Sequence, residues 1–320
     1  MDKVSVIVPA YNAEKTIEQC LRSICGNDTK GLFDFEVIVV NDGSKDNTVY
    51  VVELLQHEYL NLRLINQSNS GPSAARKLGI SQSTGEYLAF CDSDDWVEPN
   101  WLSAMYCSIV EENADISIIR ALINEGDINS VEYKEYAWDN NHAIKAYLEH
   151  RLINGSFVIK MFRKNLFDNI HFDTTMSYCE DDYVLWQMLQ NVKKIVRREI
   201  PTYHIRVHEG SLTTSKFKKE RWTSTKRYFD TVLHDCETSE ELTPLLKQAE
   251  KYRINWYFSL MKMMIRDSFY DKEVIAELQR VYRISGLSAI GAFDRVKDKF
   301  AYVLSLISVP FVFKILRKAL

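Results

Sequence analysis

The sequence predicts an open, mostly parallel, Rossmann-like α/β sheet flanked by helices, followed by a helical C-terminal region. Three observations carry this expectation. Short apolar runs rich in Val and Ile alternate with stretches of helical spacing over the first hundred residues, the pattern of strands covered on both faces. The polar clusters Pro9-Ala10-Tyr11-Asn12, Asn41-Asp42-Gly43-Ser44 and Asp92-Ser93-Asp94-Asp95 each follow directly on such a run. After Lys216 the strand signals cease.

In chain order, residues 4–8 form a continuous β-branched run and read as the first strand. Residues 14–25 read as a helix, with Ile17, Cys20, Leu21 and Ile24 at helical spacing. A second strand at 35–40 ends in the turn composition of residues 41–44. A helix at 46–57, a strand at 62–65, a helix at 71–82 and a fourth strand at 86–90 complete the alternation. Beyond it a helix at 101–113 and a strand at 115–119 are expected, residues 124–140 read as polar and irregular, and 155–162 as another strand. Glu180-Asp181-Asp182 open a further helix.

The chain has 320 residues, 46% hydrophobic and 12% aromatic, which excludes a disordered chain and suits one large domain with an appendage, or two domains. Its formal charge of -4 hides an asymmetry: Lys+Arg number 20 against 31 Asp+Glu in 1–215, and 20 against 13 in 216–320. No nucleic-acid partner is expected, and the oligomeric state is not readable. Six cysteines without a Cys-x-x-Cys pair, and a first strand close to the N-terminus, lead us to expect reduced thiols in the cytosol.

Three carboxylates crowded at a strand end repel one another unless a cation sits there. A hard divalent ion, Mg²⁺ or Mn²⁺, suits oxygen ligands and is commonly shared between one or two carboxylates and substrate phosphates. The cluster at 92–95 therefore reads as a nucleotide-diphosphate clamp, with an acidic turn before a helix near Pro99 as the alternative. Open α/β sheets bind ligands at the carboxyl ends of their strands, so all three polar clusters should meet in one crevice. Neither a Gly-x-Gly-x-x-Gly after the first strand nor a Gly-Lys-Ser/Thr loop is present. A site without these loops must grip a pyrophosphate another way, and a carboxylate-bound metal is an obvious device.

The segments 4–12, 36–44, 69–76 (Asn69-Ser70-Gly71-Pro72-Ser73-Ala74-Ala75-Arg76) and 92–95 resemble, in order, the motifs of family 2 glycosyltransferases. The resemblance implies the GT-A fold and inverting, metal-dependent transfer from a nucleotide sugar. It implies that Pro9, Ala10 and Tyr11 line the base and that Asp42 accepts from a uracil imide N–H, for which a carboxylate is suited. It sets Asn69 and Arg76 near the ribose, phosphates or donor carboxylates, Asp92 and Ser93 on the nucleotide, and Asp94 as the main metal ligand. Core packing for Tyr11, a self-bonded turn for Asp42 and a surface ion pair for Arg76 are the plainer readings.

Acids in a first helical turn are ordinary helix chemistry. An inverting transfer, however, needs one general base, and by resemblance it matches Asp181, with Glu180 and Asp182 as rivals. The segment 203–213 is similar to the one that closes the family's catalytic domain, implying Arg206 and Ser211 as phosphate ligands and His208 as a candidate third metal ligand. Residues 1–215 are then the catalytic domain, 1–100 its nucleotide-binding half and 101–215 its acceptor half.

The basic part, 216–320, reads as helices at 221–234, 240–269 and 272–283. Residues 300–313 carry no charge, contain Pro310 and are flanked by Arg295, Lys297, Lys299, Lys314, Arg317 and Lys318. Such a run is shorter than the roughly twenty residues a spanning helix needs. It suits an interfacial helix or hairpin on anionic lipid, or a last helix docked on the body or on a second subunit. The expected protein is a cytoplasmic enzyme, peripheral at the inner face of the cell membrane. It would use a UDP-sugar and a glycan or lipid-linked glycan acceptor. A metal-dependent nucleotidyl or sugar-phosphate transferase would instead release pyrophosphate. A non-catalytic glycan-binding protein would have lost the acids at 92, 94 and 181, which are present.

Overall fold

Val4, Val6, Ile7 and Val8 are sealed from solvent because their strand, β1 (Lys3–Ala10), lies inside a sheet. β2 (Asp34–Asp42) pairs with β1 in parallel, β3 (Leu62–Gln67) extends the sheet beyond β2, and β4 (Tyr87–Phe90) lies parallel on the other side of β1. The chain thus builds outward to β3 and then returns past β1. That reversal opens a crevice outside the carboxyl ends of β1 and β4.

This computed structural model describes residues 1–123, 132–149, 152–207 and 215–316, and the chain divides into two compact units. The first holds Met1–Ile144, Asn154–Met176 and the chain from Glu180 to the end of its sheet; the second holds Lys145–Ile153, Ser177–Cys179 and the C-terminal stretch.

In the first unit the connections are α1 (Ile17–Cys25), α2 (Thr48–Gln56) and α3 (Pro72–Gln82). α1 buries Ile17, Cys20, Leu21 and Ile24, as its spacing predicts. It starts later than expected because Ala13 N donates to Thr48 Oγ1 and Glu14 N to Asp46 Oδ2, tying the approach to the start of α2. Asp46 also accepts from Thr48 N, which delays α2 to Thr48. Asn41 and Asp42 belong to β2, and the turn expected there begins at Gly43, in the left-handed region at φ 72°.

Past β4 come β5 (Trp96–Val97), α4 (Trp101–Glu111), β6 (Ile116–Ile123), β7 (Glu135–Asp139), α5 (Asn140–Leu148), β8 (Lys160–Arg163), α6 (Glu180–Leu189) and β9 (Lys194–Ile205). The parallel expectation describes β3, β2, β1 and β4; beyond them the sheet is mixed. β8 runs antiparallel to β4 and β6, while β9 is parallel to β6 and antiparallel to β5 and β7. Once the strand-helix alternation lapses, an apolar run no longer encodes its direction. The strand expected from 155 starts only at Lys160, whose N–H closes a turn onto Phe157 O. β7 falls within the stretch read as irregular, its exposed positions alternating along a half-covered strand. Phe90, Phe157, Phe162 and Phe167 pack as one aromatic cluster under the end of β4.

The second unit is helical: α7 (Lys219–Thr238), α8 (Leu246–Arg266), α9 (Lys272–Ser285), α10 (Val296–Ile307) and α11 (Val309–Leu316). Trp222, Phe229, Tyr252 and Tyr257 form its aromatic core. Asp271 caps α9, accepting from Glu273 N and Val274 N. The uncharged run at 300–313 is broken at Ser308, an extended residue between α10 and α11. Among the described residues no helix is long and apolar enough to cross a membrane.

Candidate active site

The loops after β1, β2 and β3 are stitched together by short polar side chains. Asn12 N donates to Ser44 Oγ at 3.0 Å, and Lys45 N donates to Asn12 Oδ1 at 2.8 Å. Pro9 and Ala10 are buried at the end of β1, and Tyr11 stands beyond them 50% exposed, not in the core. Asp42, buried at the end of β2, accepts from Gln67 Nε2 (2.7 Å), Ser70 N (2.8 Å) and Gly71 N (2.8 Å). A carboxylate has about four acceptor positions, so Asp42 keeps one for a further donor. Gly43 is glycine for a reason of space as well as φ: a Cβ there would lie 2.8 Å from Asn69 N. Tyr11, Asp42 and Asn69 are thus drawn to one end of the sheet.

Arg76 links that end to the acids. It projects from α3, which begins at Pro72 after Gly71, and is only 6% exposed. Nη2 donates to Asp92 Oδ1 at 3.0 Å, Nη1 to Asp181 Oδ1 at 3.0 Å and to Glu180 Oε1 at 3.4 Å. Burial works against the guanidinium charge, but Asp181, Asp92 and Glu180 outweigh it and raise the pKa. Asp181 shows the converse. Burial pushes its carboxyl up, Arg76 pulls it back, and Glu180 and Asp92 push it up again, for a net rise.

The carboxylates at 92–95 have different surroundings. Asp92 is half-exposed and paired with Arg76; Ser93 and Asp94 are partly exposed. Asp95 is turned inward, accepting from Tyr203 O–H and Arg206 N, each at 2.7 Å. Burial, then the charge of Asp92, pushes the Asp95 carboxyl up to about 7 against those hydrogen bonds. Arg206 lies over the Trp96 ring at 4.8 Å and donates to Asp94 O (2.8 Å) and Gln19 Oε1. His208 and Ser211 lie outside the described residues.

Among the described residues no group of three Asp, Glu, His or Cys side chains could hold a metal ion. The two partly exposed carboxylates, Asp92 and Asp94, fit an ion that completes its shell with the oxygens of a bound diphosphate. Two supports of the site escape the sequence reading. Gln67 fixes Asp42, and Tyr203, whose O–H also accepts from Asp92 N at 3.1 Å, holds the acidic turn. Gln67 stands just before the 69–76 segment and Tyr203 opens the 203–213 segment, but nothing local marks their partners.

An open sheet whose first four strands are parallel, with an Asp-x-Asp turn at the end of the fourth, has the architecture of a GT-A fold. Residues 5–171, just over half of the chain, match the Glycosyl transferase family 2 model, and the chain belongs to that family. Glycosyltransferase GlyA of Streptococcus pneumoniae is 32% identical over 232 residues, which is 69% of this chain and 32% of GlyA. The chain therefore spans about a third of that relative's length. The structure of S. aureus TarS 1–349 in complex with UDP superposes with a TM-score of 0.69 at 20% identity, covering 99% of this chain and 90% of that one. Mannosyltransferase PcManGT from Pyrobaculum calidifontis, in complex with GDP-Man and Mn²⁺, gives 0.59 at 16% identity, covering 94% and 85%.

Proposed function

We propose that this protein is an inverting glycosyltransferase that moves a sugar from a UDP-linked donor to a hydroxyl of a glycan acceptor. The observation that carries the reading is the bridge made by Arg76, which holds Asp92 and Asp181 on one guanidinium. A donor diphosphate at the end of β4 and a base at the start of α6 then serve the same crevice. Asp181 accepts the proton of the acceptor hydroxyl as that oxygen attacks the anomeric carbon from the face opposite the leaving group. Its raised pKa makes the carboxylate a stronger base than an ordinary aspartate. Tyr11 offers a flat contact for the base, Asp42 its remaining acceptor position for an imide N–H, and Asn69 and Ser93 polar contacts to the nucleotide. Arg206 offers a guanidinium to the phosphates. Asp92 and Asp94 would hold Mn²⁺ or Mg²⁺, which when bound would supply positive charge against the departing diphosphate.

UDP is favoured by the acceptor chemistry of Asp42 and by the likeness to a TarS structure that contains UDP. Residues 1–215 form the catalytic domain in this reading, and 216–320 bring it to the inner face of the membrane and a lipid-linked acceptor. Val296, Phe300, Ile307 and Phe311 are exposed on that part beside exposed Arg295, Lys297 and Lys314, the composition of an interfacial surface. The test is a panel of UDP- and GDP-sugars with Mn²⁺, read as nucleotide release. Release of UDP from one UDP-sugar, with an inverted anomeric centre in the product, is expected. Release of pyrophosphate from a nucleoside triphosphate, or no turnover of any sugar nucleotide, would overturn the reading.

A further inference from the structure

Lys160 is an amine with no solvent exposure, at the first position of β8, the strand that flanks β4. A buried ammonium is costly unless its protons are satisfied. Its Nζ donates to Asn154 Oδ1 at 3.3 Å and to the carbonyl of Ser156. Those two acceptors straddle Gly155, so the ammonium staples this segment in place. Gly155 in turn lies flat against Asp182: a methyl group there would overlap the carboxyl carbon and both of its oxygens. Asp182 shares the first turn of α6 with Asp181, the carboxylate that Arg76 grips.

We propose that Lys160 is a positioning residue for the transfer: through Asn154, Ser156 and Gly155 it fixes the seat of Asp182 and with it the aim of Asp181. The inference rests on the reading of Asp181 as the base. Lys160 touches neither donor nor acceptor. Arg76 holds the acidic turn from α3, and Lys160 supports it from within the sheet through the segment its amine holds. The charges of Asp182 and Asp181 act on Lys160 in return, opposing the burial that lowers its pKa to about 7. The arrangement explains two otherwise unrelated residues. Position 155 must lack a side chain so that Asp182 can settle on it, and position 160 must carry a donor long enough to hold that floor.

The test compares wild type, Lys160→Met and Gly155→Ala for kcat, KM of the nucleotide sugar, UDP affinity by calorimetry and the pH dependence of kcat. In both variants kcat should fall by about a hundredfold, the effect of roughly an ångström of misplacement, with UDP affinity unchanged. In Lys160→Met the acidic limb of kcat should also move to higher pH, since losing an amine that is protonated below about 7 favours protonated Asp181. A folded Lys160→Met with wild-type kcat and an unmoved limb overturns the proposal. Loss of UDP affinity in step with kcat does so too, because it marks a purely structural part. Should Lys160→Met not fold, Gly155→Ala decides by the same split between kcat and UDP affinity. Wild type that binds UDP but transfers no sugar overturns the transferase reading and this inference together. Active wild type with unaffected variants overturns this inference alone.

Discussion

Arg76 and Asp181 are 105 residues apart in sequence, yet Nη1 of the one donates to Oδ1 of the other at 3.0 Å. The same guanidinium holds Asp92, so one buried cation sets the spacing between two acids proposed to have different tasks. Truncating it leaves Asp92, Glu180 and Asp181 facing one another with no counter-charge from α3.

Arg76→Ala should therefore lower both stability and turnover. Breaking a buried ion pair costs about 3–5 kcal/mol, and the partial exposure of Asp92 and Asp181 puts this case at the lower end of that range. Arg76→Lys keeps the charge but loses the fork, so most of the stability should return while turnover stays low. Denaturant titration and kcat on the same preparations check this; full recovery of turnover in the Lys variant would contradict it.

Asp94→Ala should abolish the part of UDP affinity that depends on Mn²⁺ and leave the metal-free part intact. Isothermal titration with Mn²⁺ and with a chelator separates the two. An unchanged Mn²⁺ response in the variant would place the ion elsewhere.

Glu36 is a structural counterpart to the site acids. It is buried at the far end of β2 and accepts from Ser5 Oγ (2.7 Å), Thr84 N (2.7 Å), Thr84 Oγ1 (2.8 Å) and Arg63 Nη1 (3.1 Å). Burial pushes its pKa up, but these donors outweigh it and bring the group from 4.5 down to about 2. A depressed folded value means that the stabilisation is complete above 4.5 and is lost as pH falls toward about 2. Glu36→Gln should cost about 3 kcal/mol at neutral pH, with the difference from wild type vanishing near pH 2. Parallel stability curves across that window would contradict the assignment.

Replacing Val296, Phe300, Ile307 and Phe311 together by Ser should abolish binding to vesicles rich in anionic lipid. Wild type should co-sediment with such vesicles and be released by salt, which screens basic residues from headgroups. Equal recovery of both proteins with vesicles, or of neither, would remove this surface from consideration as a membrane contact.

The first four strands were legible because continuous runs such as residues 4–8 and 37–40 have few ways to be covered other than between helices. The acids at 92 and 94 stood out as chemistry at a strand end, whereas Asp181 and Arg76 were marked only by the resemblance to the family's motifs. Their partners were not legible. Tyr203 finds Asp95 across 108 residues, and nothing around either residue encodes the meeting. Helix starts were misplaced where a side chain bonds a backbone elsewhere, as Thr48 does with Ala13. β7 was missed because half of it faces water. Lys160 lay within a predicted strand, and only its burial in the structure sets it apart.

The most direct test is UDP affinity with Mn²⁺ and turnover, measured on one preparation of Asp181→Asn. Wild-type affinity with kcat lowered by roughly a hundred- to ten-thousandfold is expected of a lost general base. Near-normal turnover, or affinity lost in proportion to turnover, would contradict the assignment of donor and base to a single crevice bridged by Arg76.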